Sequence, residues 1–187
     1  MKQTKLISVL FVILILFTFT SCGDNNNTPN SPDVSVSDSF TFETQDIYGE
    51  KVTSDIFRNS KITMVNVWAT FCAPCIYEMP FLGELSEEYD KNDFLIVGIV
   101  SDTIDYYGEI SQELVNEAKE IAKQTGAKYT HLIPEGNVGR FIYDVSAVPT
   151  TFFVDSNGSV IGEYIVGSKN KADWKTIIDE KLQEVQK

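Results

Sequence analysis

Trp68-Ala69-Thr70-Phe71-Cys72-Ala73-Pro74-Cys75 is the stretch on which the fold turns. Ile62 to Trp68 (ITMVNVW) runs into it as a β-branched apolar segment, the composition of a strand buried on both faces. From Pro74 to about Lys91, Ile76, Met79, Leu82, Leu85 and Tyr89 recur at helical spacing, with Glu84, Glu87, Glu88 and Asp90 on the other side. The Cys-x-x-Cys therefore lies where a buried strand ends and a helix begins. Unpaired backbone N–H groups and the positive end of the helix dipole stabilise a thiolate there. Such a site lowers a cysteine pKa from about 8.5 into the range of roughly 3.5 to 7.5. The sequence predicts an exposed, reactive Cys72 and an inward-facing Cys75 that can reach it and release a mixed disulfide. Pro74 suits the first helical turn, where its missing N–H costs little. A static disulfide or half of a metal site is the bland alternative. Against it stand the absence of a second cysteine pair, the single His131, and the weak constraint that so small a loop places on the unfolded chain.

Outward from this segment the chain alternates strands and helices. Phe94 to Val100 (FLIVGIV) is a second doubly buried strand, so strand, helix and strand form a βαβ unit. Glu109 to Gln124 carries Ile110, Leu114, Ala118, Ile121 and Ala122 on one helical face and is stopped by Gly126, with a short strand expected at Tyr129 to Ile133. Thr150 to Val154 and Val160 to Val166 flank Asp155-Ser156-Asn157-Gly158, an antiparallel hairpin, and a last helix covers about Lys171 to Val185. Ahead of the first central strand, Phe40, Phe42, Ile47-Tyr48-Gly49 and Val52 suggest a short hairpin followed by a helical turn at Ser54-Asp55-Ile56-Phe57. The pattern is α/β: a mixed central sheet with flanking helices and an N-terminal β-hairpin extension.

The 187 residues carry a formal net charge of −12, with no clustered basic patch, which argues against a nucleic-acid-binding face. Lys2 and Lys5 precede an unbroken apolar run from Leu6 to about Thr20, the layout of a secretory signal and short for a membrane span of roughly 20 residues. Phe19-Thr20-Ser21-Cys22-Gly23 then resembles the lipobox of bacterial lipoproteins, with Phe19 where those usually carry an aliphatic residue. The resemblance implies cleavage before Cys22 and its lipidation; an uncleaved anchor helix is the alternative. Either way the domain is tethered outside the cytoplasm. Gly23 to Ser39, rich in Asn, Ser, Pro and Asp, reads as a flexible linker. The expected organisation is a signal at 1–21, a tether at 22–39 and one domain at 40–187. Removing residues 1–21 removes two lysines and no acids, so attachment to anionic lipid would rest on the anchor.

From about Phe40 onward the chain looks like the thioredoxin fold, and more closely like the membrane-anchored TlpA/ResA group of thiol-disulfide oxidoreductases. The motifs that carry the resemblance are Val65-Asn66-Val67-Trp68, Cys72-Ala73-Pro74-Cys75, Glu78-Met79-Pro80 and Val148-Pro149-Thr150-Thr151, in that order. The resemblance implies that Cys72 attacks and Cys75 resolves. It implies that Pro149 is cis, with the backbone near Val148 pairing with a client strand. Pro80 matches the proline that kinks the active-site helix, and Trp68 the aromatic beneath the site, where it is either part of the client surface or plain core. Asn66 and Phe71 depart from ordinary thioredoxin, which has a buried acid and a tryptophan there, so the usual proton acceptor is missing. Glu78 stands where the ResA-like group carries an acid. It would raise the thiol pKa values or shuttle a proton, unless it is simply a solvated helix residue.

Among the remaining residues, His131 reads as an ordinary strand or loop residue, and Tyr106-Tyr107-Gly108 as packing rather than client surface. No cofactor is implied. The implied partners are client proteins with disulfides and a membrane thiol-reductant that recharges the domain. As a reductant it would serve, for example, cytochrome c maturation. Disulfide formation or isomerisation is the alternative. A thiol peroxidase is disfavoured because Ala69 stands three residues before Cys72 where that group has Thr, and a copper-binding module by the lone histidine.

Overall fold

The computed structural model describes residues 39–185. Its central sheet has five strands: β3 (Ile62–Trp68), β4 (Phe94–Val100), β5 (Thr130–Leu132), β6 (Thr150–Asp155) and β7 (Val160–Val166). The order is β5-β4-β3-β6-β7, with β3, β4 and β5 parallel and the β6–β7 hairpin antiparallel at one side. A separate pair, β1 (Glu43–Gln45) and β2 (Lys51–Thr53), forms the N-terminal hairpin, followed by a 3-10 turn at Ser54–Asn59. This is the thioredoxin-like arrangement. Among the described residues, no helix is long and apolar enough to cross a membrane.

Every residue of β3 is buried, as its unbroken apolar sequence requires, and the strand's period of two sorts it between two cores. Ile62, Met64 and Trp68 face one core with Met79, Leu82 and Leu85 of α1 (Ala73–Glu88), Val115 and Ala118 of α2 (Gln112–Thr125), and Trp174 and Ile178 of α4 (Lys171–Glu184). Val65 and Val67 face the other, built from Phe40, Phe42, Phe57, Phe152 and Val154. This second core includes Val138 of α3 (Asn137–Phe141), a five-residue helix that no sequence pattern announces. Phe40 stacks on Phe141 with ring centroids 4.1 Å apart. The residues preceding β3 thus close one face of the sheet.

The N-terminal hairpin also covers the β5 edge, whose free backbone groups would otherwise invite pairing with another chain. The Ile47 N–H donates to the His131 carbonyl, the Ile133 N–H to the Gln45 carbonyl, and the Thr44 hydroxyl to the Ile133 carbonyl at 2.7 Å.

His131, on β5, is buried beside Trp68. The Trp68 indole N–H can only donate, and it lies 3.1 Å from His131 Nδ1, so Nδ1 accepts and Nε2–H donates to the Ala127 carbonyl at 3.0 Å. The ring is neutral and satisfied at both nitrogens, and burial lowers its pKa to about 4, against the opposing pull of the Ala127 carbonyl and Asp46. Gly98 on β4 makes room for it, since a Cβ there would collide with the ring. Unfolded histidine titrates near about 6.5, so as pH falls from there the unfolded chain gains a proton that folded His131 refuses. About 3 kcal/mol of stability is expected to disappear by pH 4 on this account. Urea unfolding at pH 7 and pH 4.5 measures it: His131→Leu should lack that increment of acid sensitivity, and equal losses in both proteins would show that His131 protonates without leaving the core.

Candidate active site

Strand β3 ends at Trp68, and four residues later Cys72 caps α1. The turn between them is held by Asp102, which follows β4. Its carboxylate accepts from the Thr70 N–H at 3.0 Å and from the Thr70 hydroxyl at 2.7 Å, while the Cys72 N–H donates to the Ala69 carbonyl at 3.0 Å. Sulfur itself takes the capping role: Cys72 Sγ accepts from the Cys75 N–H at 3.3 Å, and the Ile76 N–H donates to the Cys72 carbonyl. The contact aims a first-turn N–H at the atom that would carry thiolate charge. Cys72 and Cys75 are joined as a disulfide with Cα atoms 5.3 Å apart.

Cys75 is fully buried, as expected. Cys72 is 5% exposed, a far narrower opening than that of a freely exposed thiol. Beside it Phe71 is 78% exposed.

The antiparallel register pairs Val67 with Thr150. Val148 and Pro149 therefore leave β6 at the same end of the sheet where β3 runs on toward Cys72. The Val148–Pro149 peptide is cis. The Pro149 carbonyl is taken by the Gly167 N–H at 2.9 Å, and the Ala147 carbonyl by the Thr150 hydroxyl at 2.7 Å. Val148 lies outside the paired strand.

Glu78 is the largest departure from a surface reading of α1. One helical turn beyond Cys75, it has no exposed surface and is not a solvated helix glutamate. Its Oε1 accepts from Asn66 Nδ2 at 3.0 Å, and its Oε2 accepts from the Trp174 indole N–H at 3.1 Å and the Lys169 backbone N–H at 3.0 Å. Burial raises its pKa above the ordinary carboxylate range, and these three hydrogen bonds and the Lys169 charge offset that in part. Asn66, on β3, is thus in contact with a carboxylate after all; the acid comes from the helix instead of the strand.

Two other expectations change. Trp68 is completely buried, so it presents no surface to a client, and its indole N–H donates to His131. Tyr106 and Tyr107 do not pack: they are 96% and 84% exposed at the tip of a small turn closed by Asp105, because the loop after β4 returns on itself through the Ile104–Ile110 bridge. Pro80 lies inside α1, where the missing N–H leaves the Ile76 carbonyl without its helical partner. Cys22 falls outside the described residues.

Residues 30–178 match the Redoxin family. The chain belongs to that family. It is 30% identical over 130 residues to the thiol-disulfide oxidoreductase ResA of Bacillus thuringiensis subsp. konkukian, an alignment covering 70% of this chain and 68% of that one. In fold it is similar to a secreted Mycobacterium tuberculosis disulfide oxidoreductase, with a TM-score of 0.60 and 14% identity over 76% of this chain and 98% of that one. It is also similar to the exposed lipoprotein thioredoxin of Streptococcus pneumoniae, with a TM-score of 0.58 and 21% identity over 75% of this chain and 98% of that one. With the Cys72–Cys75 pair at the head of α1, this Redoxin-family chain is a thiol-disulfide oxidoreductase.

Proposed function

We propose that the chain works outside the cytoplasm as a lipid-anchored reductant of client disulfides. Residues 1–21 are its signal, Cys22 carries the lipid, residues 22–39 are the tether and residues 40–187 the catalytic domain. Cys72 thiolate attacks a client disulfide, and the client's leaving sulfur departs as thiolate. Cys75 then loses its proton to Glu78 and displaces the reduced client, leaving Cys72–Cys75 oxidised. A membrane thiol-reductant returns the pair to the dithiol. The client backbone pairs beside Val148 and cis-Pro149, and Phe71 contributes an exposed aromatic face.

The observation that carries this reading is the buried Glu78 carboxylate one turn from a fully buried Cys75. A reductant must turn its inner cysteine into a nucleophile inside the protein, and that requires a nearby proton acceptor. Burial raises the affinity of Glu78 for a proton toward that of a thiol, the match that efficient proton exchange needs. A relative described as secreted and another described as an exposed lipoprotein support the location, as do the Lys2–Thr20 layout and the residues around Cys22. The resemblance to the TlpA/ResA group makes cytochrome c maturation the proposed setting, and the ResA relative supports the thiol-disulfide chemistry alone.

The equilibrium reduction potential of Cys72/Cys75 tests the direction of electron flow. We expect a value of about −270 mV or lower, as for thioredoxin. A value near about −120 mV, as in strong oxidants, overturns the reductase reading in favour of disulfide formation.

A further inference from the structure

Among the described residues Glu78 has three hydrogen-bond partners, and only one of them can change its role. The Trp174 indole and the Lys169 backbone offer N–H groups, which donate and never accept. Both point at Oε2. A proton on Glu78 therefore belongs on Oε1, the oxygen facing Asn66. There it meets Asn66 Nδ2, itself a donor, 3.0 Å away. As drawn, the arrangement suits the carboxylate and opposes the carboxylic acid.

Asn66 also holds the means of resolving this conflict. Its Oδ1 is buried and has no hydrogen-bond partner among the described residues. Its Nδ2 spends both hydrogens, one on Glu78 Oε1 and one on the Thr151 hydroxyl at 3.0 Å. Rotating the amide by half a turn exchanges the two ends. Oδ1, with two lone pairs, then accepts from the Glu78 hydroxyl and from the Thr151 hydroxyl, which donates as readily as it accepts. Each orientation leaves one amide end unpaired, so neither is preferred on that count. The protonation state of Glu78 decides between them.

We propose that Asn66 is a positioning residue whose amide follows the proton on Glu78, presenting Nδ2 to the carboxylate and Oδ1 to the carboxylic acid. Its direct partners, Glu78 on α1 and Thr151 on β6, are both buried, as is Trp174 on α4, which bonds Glu78. The adaptor lets one closed pocket hold Glu78 in both protonation states without a water. Its use in catalysis rests on the proton transfer proposed above, in which the Cys75 thiol gives its proton to the Glu78 carboxylate and no electrons move. Asn66 also ties that event to β6, two residues beyond cis-Pro149.

The disulfide form of the full chain isolates the effect, because neither joined cysteine titrates. The ionisable groups facing Glu78 are then Lys169, whose charge favours the carboxylate, and Tyr129, whose hydroxyl is pushed upward by burial and by Glu78. In this form the Asn66 side-chain amide NMR signals should move with pH at the midpoint of the Glu78 carboxyl carbon. Asn66→Leu, which keeps the shape and removes both amide ends, should raise that midpoint by about one pH unit, because of the two hydrogen bonds lost the one to the charged form is the stronger. Asn66 signals that stay flat through the Glu78 transition overturn the proposal, and so does an unmoved midpoint in Asn66→Leu; the wild-type signals decide the matter even if that variant does not fold. The proton-transfer reading is judged separately, on the reduced protein. If Glu78→Gln releases client with the wild-type pH profile, that reading fails, while co-titration in the disulfide form still supports the adaptor.

Discussion

A Cys75→Ser protein is expected to accumulate a covalent adduct with its client, while Cys72→Ser forms none and turns over no faster than the uncatalysed exchange. The asymmetry comes from the position of the two sulfurs at the head of α1. Cys72 caps the helix, receives the Cys75 N–H at 3.3 Å and keeps the small opening to solvent, whereas Cys75 is sealed beneath it. In the proposed cycle the outer sulfur meets the client and the inner one undoes the result. With Cys75 removed, Cys72 still attacks, but nothing displaces the client, so the mixed disulfide persists. Non-reducing electrophoresis and intact mass read the outcome directly. An adduct on Cys72→Ser, with none on Cys75→Ser, would reverse the assignment of attacking and resolving cysteines.

Trp174→Ala is expected to cost about 3–5 kcal/mol, the usual range for removing a buried tryptophan. The residue is completely buried against α1 and donates its indole N–H to Glu78. Truncation leaves a cavity and also removes one of three donors to a buried carboxylate. Trp174→Phe separates the two effects: it restores most of the volume and none of the hydrogen bond. Denaturant unfolding should therefore find Trp174→Phe much closer to wild type at pH 4 than at pH 8, because Glu78 protonated needs its donors less than Glu78 ionised. If Trp174→Phe loses the same stability at both pH values, the indole N–H contributes nothing to holding the charge.

Much of this protein follows from local pattern. The β3 and β4 runs, the amphipathic α2, the β6–β7 hairpin and the strand-to-helix placement of Cys72 and Cys75 are set by periods of two and 3.6 and by turn residues, all of which act over a few positions along the chain. Boundaries shift little: the helix expected from Glu109 begins at Gln112, because Ser111 caps it and Ile110 pairs with Ile104. The short α3 escapes notice, since five residues are too few to show a helical period and its stability comes from packing against the aromatic core.

The environment of each functional side chain is another matter. Glu78 is marked in the sequence only by the TlpA/ResA resemblance, and its burial shows only when Asn66, 12 positions earlier, and Trp174, 96 positions later, close around it. His131 reads as an unremarkable strand residue until Trp68, 63 positions away, fixes its tautomer. Tyr106 and Tyr107 read as packing groups until the Asp105 turn holds them in solvent. Sequence alone determines the mixed α/β pattern and the strand-to-helix placement of the cysteine pair, because secondary-structure period and helix-end electrostatics are properties of neighbouring residues, while the thioredoxin-like fold is read from the resemblance of its ordered motifs. Tertiary structure alone decides which polar groups lose their water, and with it where a proton can be held, because burial is set by contacts between residues that the chain keeps far apart.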